Sequence, residues 1–362
     1  MCKIFFKVMF VIKDRRENKM ENRIHWIDYV KVIACIFVVL GHFFQSIVKA
    51  NLLQDNNIYE WFNRSIYCFH VPLFFICSGY LYQKLSNIDK VDKWTYNVKK
   101  KLVVLGIPYV FFSTITWFLK EIFSESVNDQ MKTGLIKTIV FQPTSPYWYL
   151  YCLFFMFFLT LTMKDTKMGK WMLYLSLLMK IVICITKWEN PYLLCAIMKN
   201  EIWFVLGMSI CMFNIELSNK KKCGYVSGIL FLVLSVITYI YDFSNEIILF
   251  ILGILACVSI ILLVIDNEKN LMRNRVMNIL SNYTLPIFLM HTLVAAPTRI
   301  ILLKIGITNV SVHIFIGLLM SIIMPIVIAI SMNKLKYAEI LLYPNKFIEL
   351  KIPGTLKNQS TK

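Results

Sequence analysis

Residues 28–48 read DYVKVIACIFVVLGHFFQSIV. A bilayer's hydrocarbon core is about 30 Å thick and needs roughly 20 mostly apolar residues of helix to cross it. This run has that length, yet Asp28, Lys31, His42, Gln45 and Ser46 interrupt it. Wound at about 100° per residue, these residues and Cys35 fall in one stripe about 100° wide on an otherwise Val/Ile/Phe/Leu helix. The stripe is expected to face protein, not lipid.

Nine further runs are read as spans: residues 67–83, 102–119, 147–163, 171–186, 193–213, 224–240, 246–265, 280–303 and 310–332. Backbone polar groups in hydrocarbon must be paired internally, and these runs are too long and too uniformly apolar for barrel strands. The chain is 58% hydrophobic, against about 45–50% in soluble domains, with mean hydropathy +0.62. The expected fold is an all-α integral membrane domain of about ten transmembrane helices.

The formal net charge is +18. Such a balance suits nucleic acid, but here the charges lie between apolar spans, so no nucleic-acid partner is expected. With the N-terminus inside, the inner segments carry 28 Lys and Arg and the outer segments 7. Cytoplasmic loops are the basic ones, so both termini are read as cytoplasmic. Only Lys31, Lys180, Lys199 and Arg299 fall within spans.

Residues 1–23 are read as an N-terminal cytoplasmic or interfacial segment without a signal-peptide cleavage site. Residues 24–333 form the membrane domain, and 334–362 a Lys-rich cytoplasmic tail. No soluble catalytic domain is read, so any chemistry belongs in the membrane domain or at its edges. The ten Cys are scattered without metal-ligand spacing, and neither a disulfide framework nor a metal site is expected.

Ionisable groups within a span are costly and mark function or pairing. Asp28 and Lys31, three apart at the inner end of the first span, suit an ion pair or a ligand site. His42 lies eleven residues beyond Lys31, a rise of roughly 16 Å. In the second span His70 and Ser78 share nearly one face, Pro72 lies in the first turn, and Gly79 permits close helix approach. His70 should stand near the depth of His42. Trp148 and Tyr149 open the fourth span, where an interfacial belt is the plain alternative to a binding role. His291 lies within the ninth span and suits either a structural or a site role. Glu201 is a weaker candidate.

Several motifs resemble the acyltransferase-3 family, most nearly its fucose 4-O-acetylase-like branch. They are Trp26-Ile27-Asp28-Tyr29-Val30-Lys31, Val38-Val39-Leu40-Gly41-His42, Phe69-His70-Val71-Pro72-Leu73-Phe74-Phe75 and Ser78-Gly79-Tyr80-Leu81. Weaker echoes are Tyr147-Trp148-Tyr149-Leu150, Trp203-Phe204-Val205-Leu206-Gly207 and Leu289-Met290-His291. The resemblance implies a plasma-membrane enzyme that passes an acyl group, usually acetyl, from cytoplasmic acyl-CoA to a sugar hydroxyl of an exported glycan or lipid-linked sugar. Its basic-residue-to-histidine pattern falls on Lys31 and His42. Many members carry Arg where this chain has Lys31, which keeps the charge but not the planar fork.

On this reading His42 acts as general base, with His70 beside it. Lys31 and Asp28 belong to the acyl-CoA end. Ser78, Trp148, Tyr149 and His291 belong to the sugar. Membrane lipids and glycan-assembly proteins are the expected partners. A transporter or flippase for a glycan or lipid-linked sugar is the rival reading, although no duplicated halves or matched broken helices are found.

Overall fold

The computed structural model describes residues 23–348 apart from 87, 89, 125–132, 215–218, 244 and 336. The expected segment 1–23, beyond Arg23 itself, and the tail from 349 onward lie outside the described residues. Among the described residues every regular element is helical.

In chain order these are α1 (His25–Lys49), α2 (Asn57–Tyr67), α3 (His70–Leu85), α4 (Val91–Lys101), a π-helical turn (Leu102–Gly106), α5 (Ile107–Ile122), α6 (Leu135–Val140) and α7 (Trp148–Leu159). There follow α8 (Thr166–Thr186), α9 (Tyr192–Phe213), α10 (Lys220–Ile240), α11 (Glu246–Asp266), α12 (Glu268–Arg273), α13 (Arg275–Lys304) and α14 (Val310–Lys334). Short polar residues set many of the starts. Asn56, Asp165, Asn245, Asn274 and Asn309 each accept a backbone N–H from the first turn of α2, α8, α11, α13 and α14, satisfying donors that a helix start leaves orphaned.

Nine helical spans among the described residues are long and apolar enough to cross a membrane, with α2–α3 and α4–α5 each acting as one span. The fourth expected span, 147–163, is helical only over the twelve residues of α7. Its inner continuation is irregular and is held by the end of α3 and the segment after it. Tyr82 Oη donates to Thr160 O (2.7 Å), Gln83 Nε2 to Met163 O (2.9 Å), and the amides of Met163 and Ile88 to Gln83 Oε1 (2.8 Å) and Thr162 Oγ1 (3.0 Å). Irregular backbone in a membrane domain persists only where protein or water satisfies it.

α1 lies at the centre, packed on α3, α11, α13 and α14. α3 and α9 cross most closely. A Cβ on Gly79 would lie 1.9 Å from Phe204 O, and one on Gly207 2.0 Å from Ile76 O. The bare backbones touch there, as expected for Gly79. α8, α10 and α14 turn large side chains outward, among them Trp171, Leu178, Leu230, Ile237 and Phe315. These faces match lipid.

The N-terminal end of α1 is the one that the sequence reading places on the inner side. There Arg23 pairs with Asp28 and donates to Asn282 Oδ1 (3.0 Å) and Ser281 Oγ (3.3 Å) on α13. The i, i+3 pairing of Asp28 with Lys31 is not formed. Asp28 turns back to Arg23, a longer donor that also reaches α13.

Candidate active site

The polar stripe of α1 meets protein along its whole length. Cys35 Sγ points to Thr284 O (3.6 Å), Gln45 Nε2 donates to Asn63 Oδ1 (3.4 Å), and Ser46 receives Arg299 Nη1 through Oγ (2.7 Å) and O (2.9 Å). Arg299 is thus an intramembrane cation that fastens α13 to the outer end of α1.

His42 lines a cavity of about 340 Å³ in the outer half of the domain, together with His70, Trp148 and Tyr149. Four separately coded elements converge there. α1 brings His42 seven residues below its outer end. The α2–α3 corner brings Tyr67 and His70. The irregular segment ahead of α7 brings Ser145 and Pro146, which are joined by a cis peptide bond, and α7 itself brings Trp148 and Tyr149. Ser145 Oγ lies 3.4 Å from His42 Nε2.

Three histidines gather at this point. The His42 and His291 ring centroids are 5.3 Å apart, tilted by 38°. Tyr67 stands edge-on to both His42 (6.4 Å) and His70 (4.6 Å). His70 Nδ1 lies 2.6 Å from Ile66 O, and His291 Nδ1 lies 2.9 Å from Phe288 O and 3.1 Å from Ile287 O. A carbonyl only accepts, so each Nδ1 carries the proton, and in the neutral ring Nε2 keeps its lone pair. His291 Nε2 is buried without a hydrogen-bond partner. The helices' own backbone therefore fixes two imidazoles in one tautomer, beside a third that faces the cavity.

The expected site residues divide. His42, His70, Trp148 and Tyr149 share one cavity, and His291 touches His42 from behind. Ser78 stands apart: its hydroxyl bonds Tyr149 Oη (3.0 Å), which also donates to Phe74 O (3.3 Å). Asp28 and Lys31 lie at the inner end of α1. The charged neighbours there are Lys100 and Lys101, and the Lys101 ammonium sits 3.8 Å from the Phe157 ring centroid. Between Lys31 and His42 the wall is packed: Cys35 is 3% exposed and Val39 1%.

The sequence reading missed the cavity's outer wall, formed by Arg64, Lys180, Lys199, Glu246 and Trp203. Lys180 and Lys199 did carry a signal as lysines within spans. Glu201 is buried, receives Thr160 Oγ1 on Oε1 (2.6 Å), and has no partner on Oε2. It does not line the cavity.

Comparison with known proteins finds relatives of this chain. Nodulation protein NolL of Sinorhizobium fredii is 32% identical over 168 residues, covering 46% of this chain and 43% of that protein. NolL of Mesorhizobium japonicum is 29% identical over 140 residues, covering 38% and 35%. The chain thus spans less than half the length of these relatives. No solved structure matches it. A family model described as an acyltransferase domain, Acyl_transf_3, covers residues 24–330, from the α1 stripe through the histidine cluster to α14. With its motifs, its helices and this match in register over one continuous domain, the chain belongs to the acyltransferase-3 family.

Proposed function

We propose that the chain is a plasma-membrane O-acyltransferase that moves an acyl group, acetyl foremost, from cytoplasmic acyl-CoA to a sugar hydroxyl of an exported glycan or lipid-linked sugar. The observation that carries this reading is the ring of His42, set in a cavity of sugar size with His70, Trp148 and Tyr149, and backed by His291. Aromatic faces suit a sugar's apolar face, and an imidazole suits a hydroxyl proton.

In the reaction, His42 Nε2 takes the sugar hydroxyl proton as the oxygen attacks the thioester carbonyl. The new C–O bond forms, the C–S bond breaks, and His42 returns the proton to the departing thiolate. His291 offers a lone pair beside His42 that favours the transient imidazolium. Ser145 Oγ lies 3.4 Å from His42 Nε2 and can donate to the developing oxyanion. At the inner edge Lys31, Lys100 and Lys101 receive the anionic nucleotide, and Asp28 holds that edge through Arg23. The rise from Lys31 to His42, roughly 16 Å, is commensurate with an extended pantetheine arm. Because Cys35 and Val39 are packed, passage of that arm requires α1 to part from a neighbour, a conformational step within the cycle.

The test uses membranes carrying the full chain, radiolabelled acetyl-CoA on the inner side, and mass spectrometry of surface glycans. His42→Ala should abolish acyl gain on the glycan while leaving protein level unchanged. Retained acylation would overturn the assignment. A glycan that changes location without changing mass would point to transport instead.

A further inference from the structure

The outer wall of the cavity is a charge arrangement that catalysis by His42 does not require. Glu246 at the start of α11 is shared by two lysines: Lys180 Nζ lies 3.6 Å from Oε2, and Lys199 Nζ 3.9 Å from Oε1. Arg64 lines the same cavity, with its guanidinium donating to Phe243 O (2.7 Å) and set 3.8 Å from Asp242. Three cations thus line the cavity, and Glu246 is the one carboxylate among its lining residues.

Two of these cations lie within apolar helices, where a charge is retained only when paired or used. Lys180 is nearly buried, its side chain 10% exposed, and its ammonium lies 5.7 Å from the Phe250 ring centroid. Lys199 and Glu246 are 42% and 45% exposed, so this end of the cavity is open. One carboxylate cannot neutralise two ammonium groups, and the remaining positive potential is focused into a cleft with low-dielectric walls.

We propose that this wall binds an anion on the acceptor, so that the sugar acylated at His42 is an acidic one. Lys199 and Lys180 hold an oxyanion while Trp148 and the histidines meet the rest of the ring. The inference rests on the acyltransferase reading and narrows its substrate class. The oxyanion has two chemical sources: a carboxylate on the sugar, or a phosphate joining the sugar to a lipid carrier.

The experiment measures acyl transfer by membranes holding the full chain, with four acceptors: an acidic oligosaccharide, its carboxyl-reduced counterpart, a neutral sugar on an isoprenyl phosphate, and the same sugar without phosphate. The wild type should prefer one anionic acceptor over its neutral partner by about tenfold or more in kcat/KM, as expected for a charge-assisted bond. Preference within the first pair assigns a carboxylate, and within the second a phosphate. Lys199→Gln should raise KM for that acceptor about tenfold with little change in kcat, and Lys199→Arg should restore it. Lys199 is the residue of choice because its side chain is partly exposed, so folding is spared. Equal use of charged and neutral acceptors, or a Lys199→Gln KM unchanged for all four, overturns the anion site and leaves the acyltransferase reading standing. Transfer to none of the acceptors or to native glycans overturns that reading and the inference together.

Discussion

Gly207→Ala gives the sharpest test of how the site is held. Gly207 on α9 faces Ile76 on α3 so closely that an added Cβ would lie 2.0 Å from Ile76 O, 2.7 Å from its carbonyl carbon and 2.9 Å from its Cα. Ordinary contact begins near 3.4 Å. All three obstructing atoms are backbone, so no rotamer relieves them, and α3 and α9 must separate by about 1.4 Å. Overpacking of this kind costs about 1–3 kcal/mol. The functional loss should be larger than the stability loss. α3 carries His70, and α9 carries Lys199 and Trp203, so separation opens the cavity from two sides. A misplacement near 1 Å costs about 100-fold in rate. The assay pairs thermal unfolding of the detergent-purified protein with acyl transfer in membranes. Gly134→Ala serves as control, since a Cβ there meets nothing within 4 Å. If Gly207→Ala unfolded and turned over like the wild type while Gly134→Ala did the same, the close crossing would be wrong.

Two further substitutions separate packing from chemistry. Thr160→Val removes the donor to Glu201 Oε1 and leaves that buried carboxyl group without any partner. It should destabilise by about 1–3 kcal/mol, and adding Glu201→Leu should recover part of the loss; unfolding midpoints of the single and double variants decide. Tyr149→Phe loses bonds to Ser78 and Phe74 O, so stability should fall by about 1–2 kcal/mol with acceptor KM unchanged. A tenfold rise in KM at unchanged stability would instead mean that the hydroxyl meets the sugar.

The crossings were legible because hydrocarbon imposes one demand over twenty residues at a time, and runs such as 246–265 or 310–332 meet it without ambiguity. α7 was not legible as a short helix. The apolar character of 147–163 continues past Leu159, while side chains of α3 that are remote in sequence bond the backbone there. His42 and His70 were readable as costly residues at matching depths, and His291 as a costly residue within its own span. Ser78 was placed with them because eight residues return to a similar helix face, but those eight residues also move it about 12 Å along the axis, to the level of Tyr149 Oη. The wall of Lys180, Lys199 and Glu246 comes from three helices whose adjacency no local pattern encodes. Each charge was visible, but their meeting was not.

The brevity of α7 has an electrical consequence. Twelve residues rise about 18 Å, against a hydrocarbon thickness of about 30 Å. The remaining roughly 12 Å is made up at the inner end by the irregular segment 160–163, whose Thr160 and Met163 carbonyl dipoles are met by Tyr82 and Gln83. Donors outside the helix thus compensate those dipoles, and the macrodipole of α7 ends among the buried Thr160, Thr162 and Met163 instead of at a membrane surface.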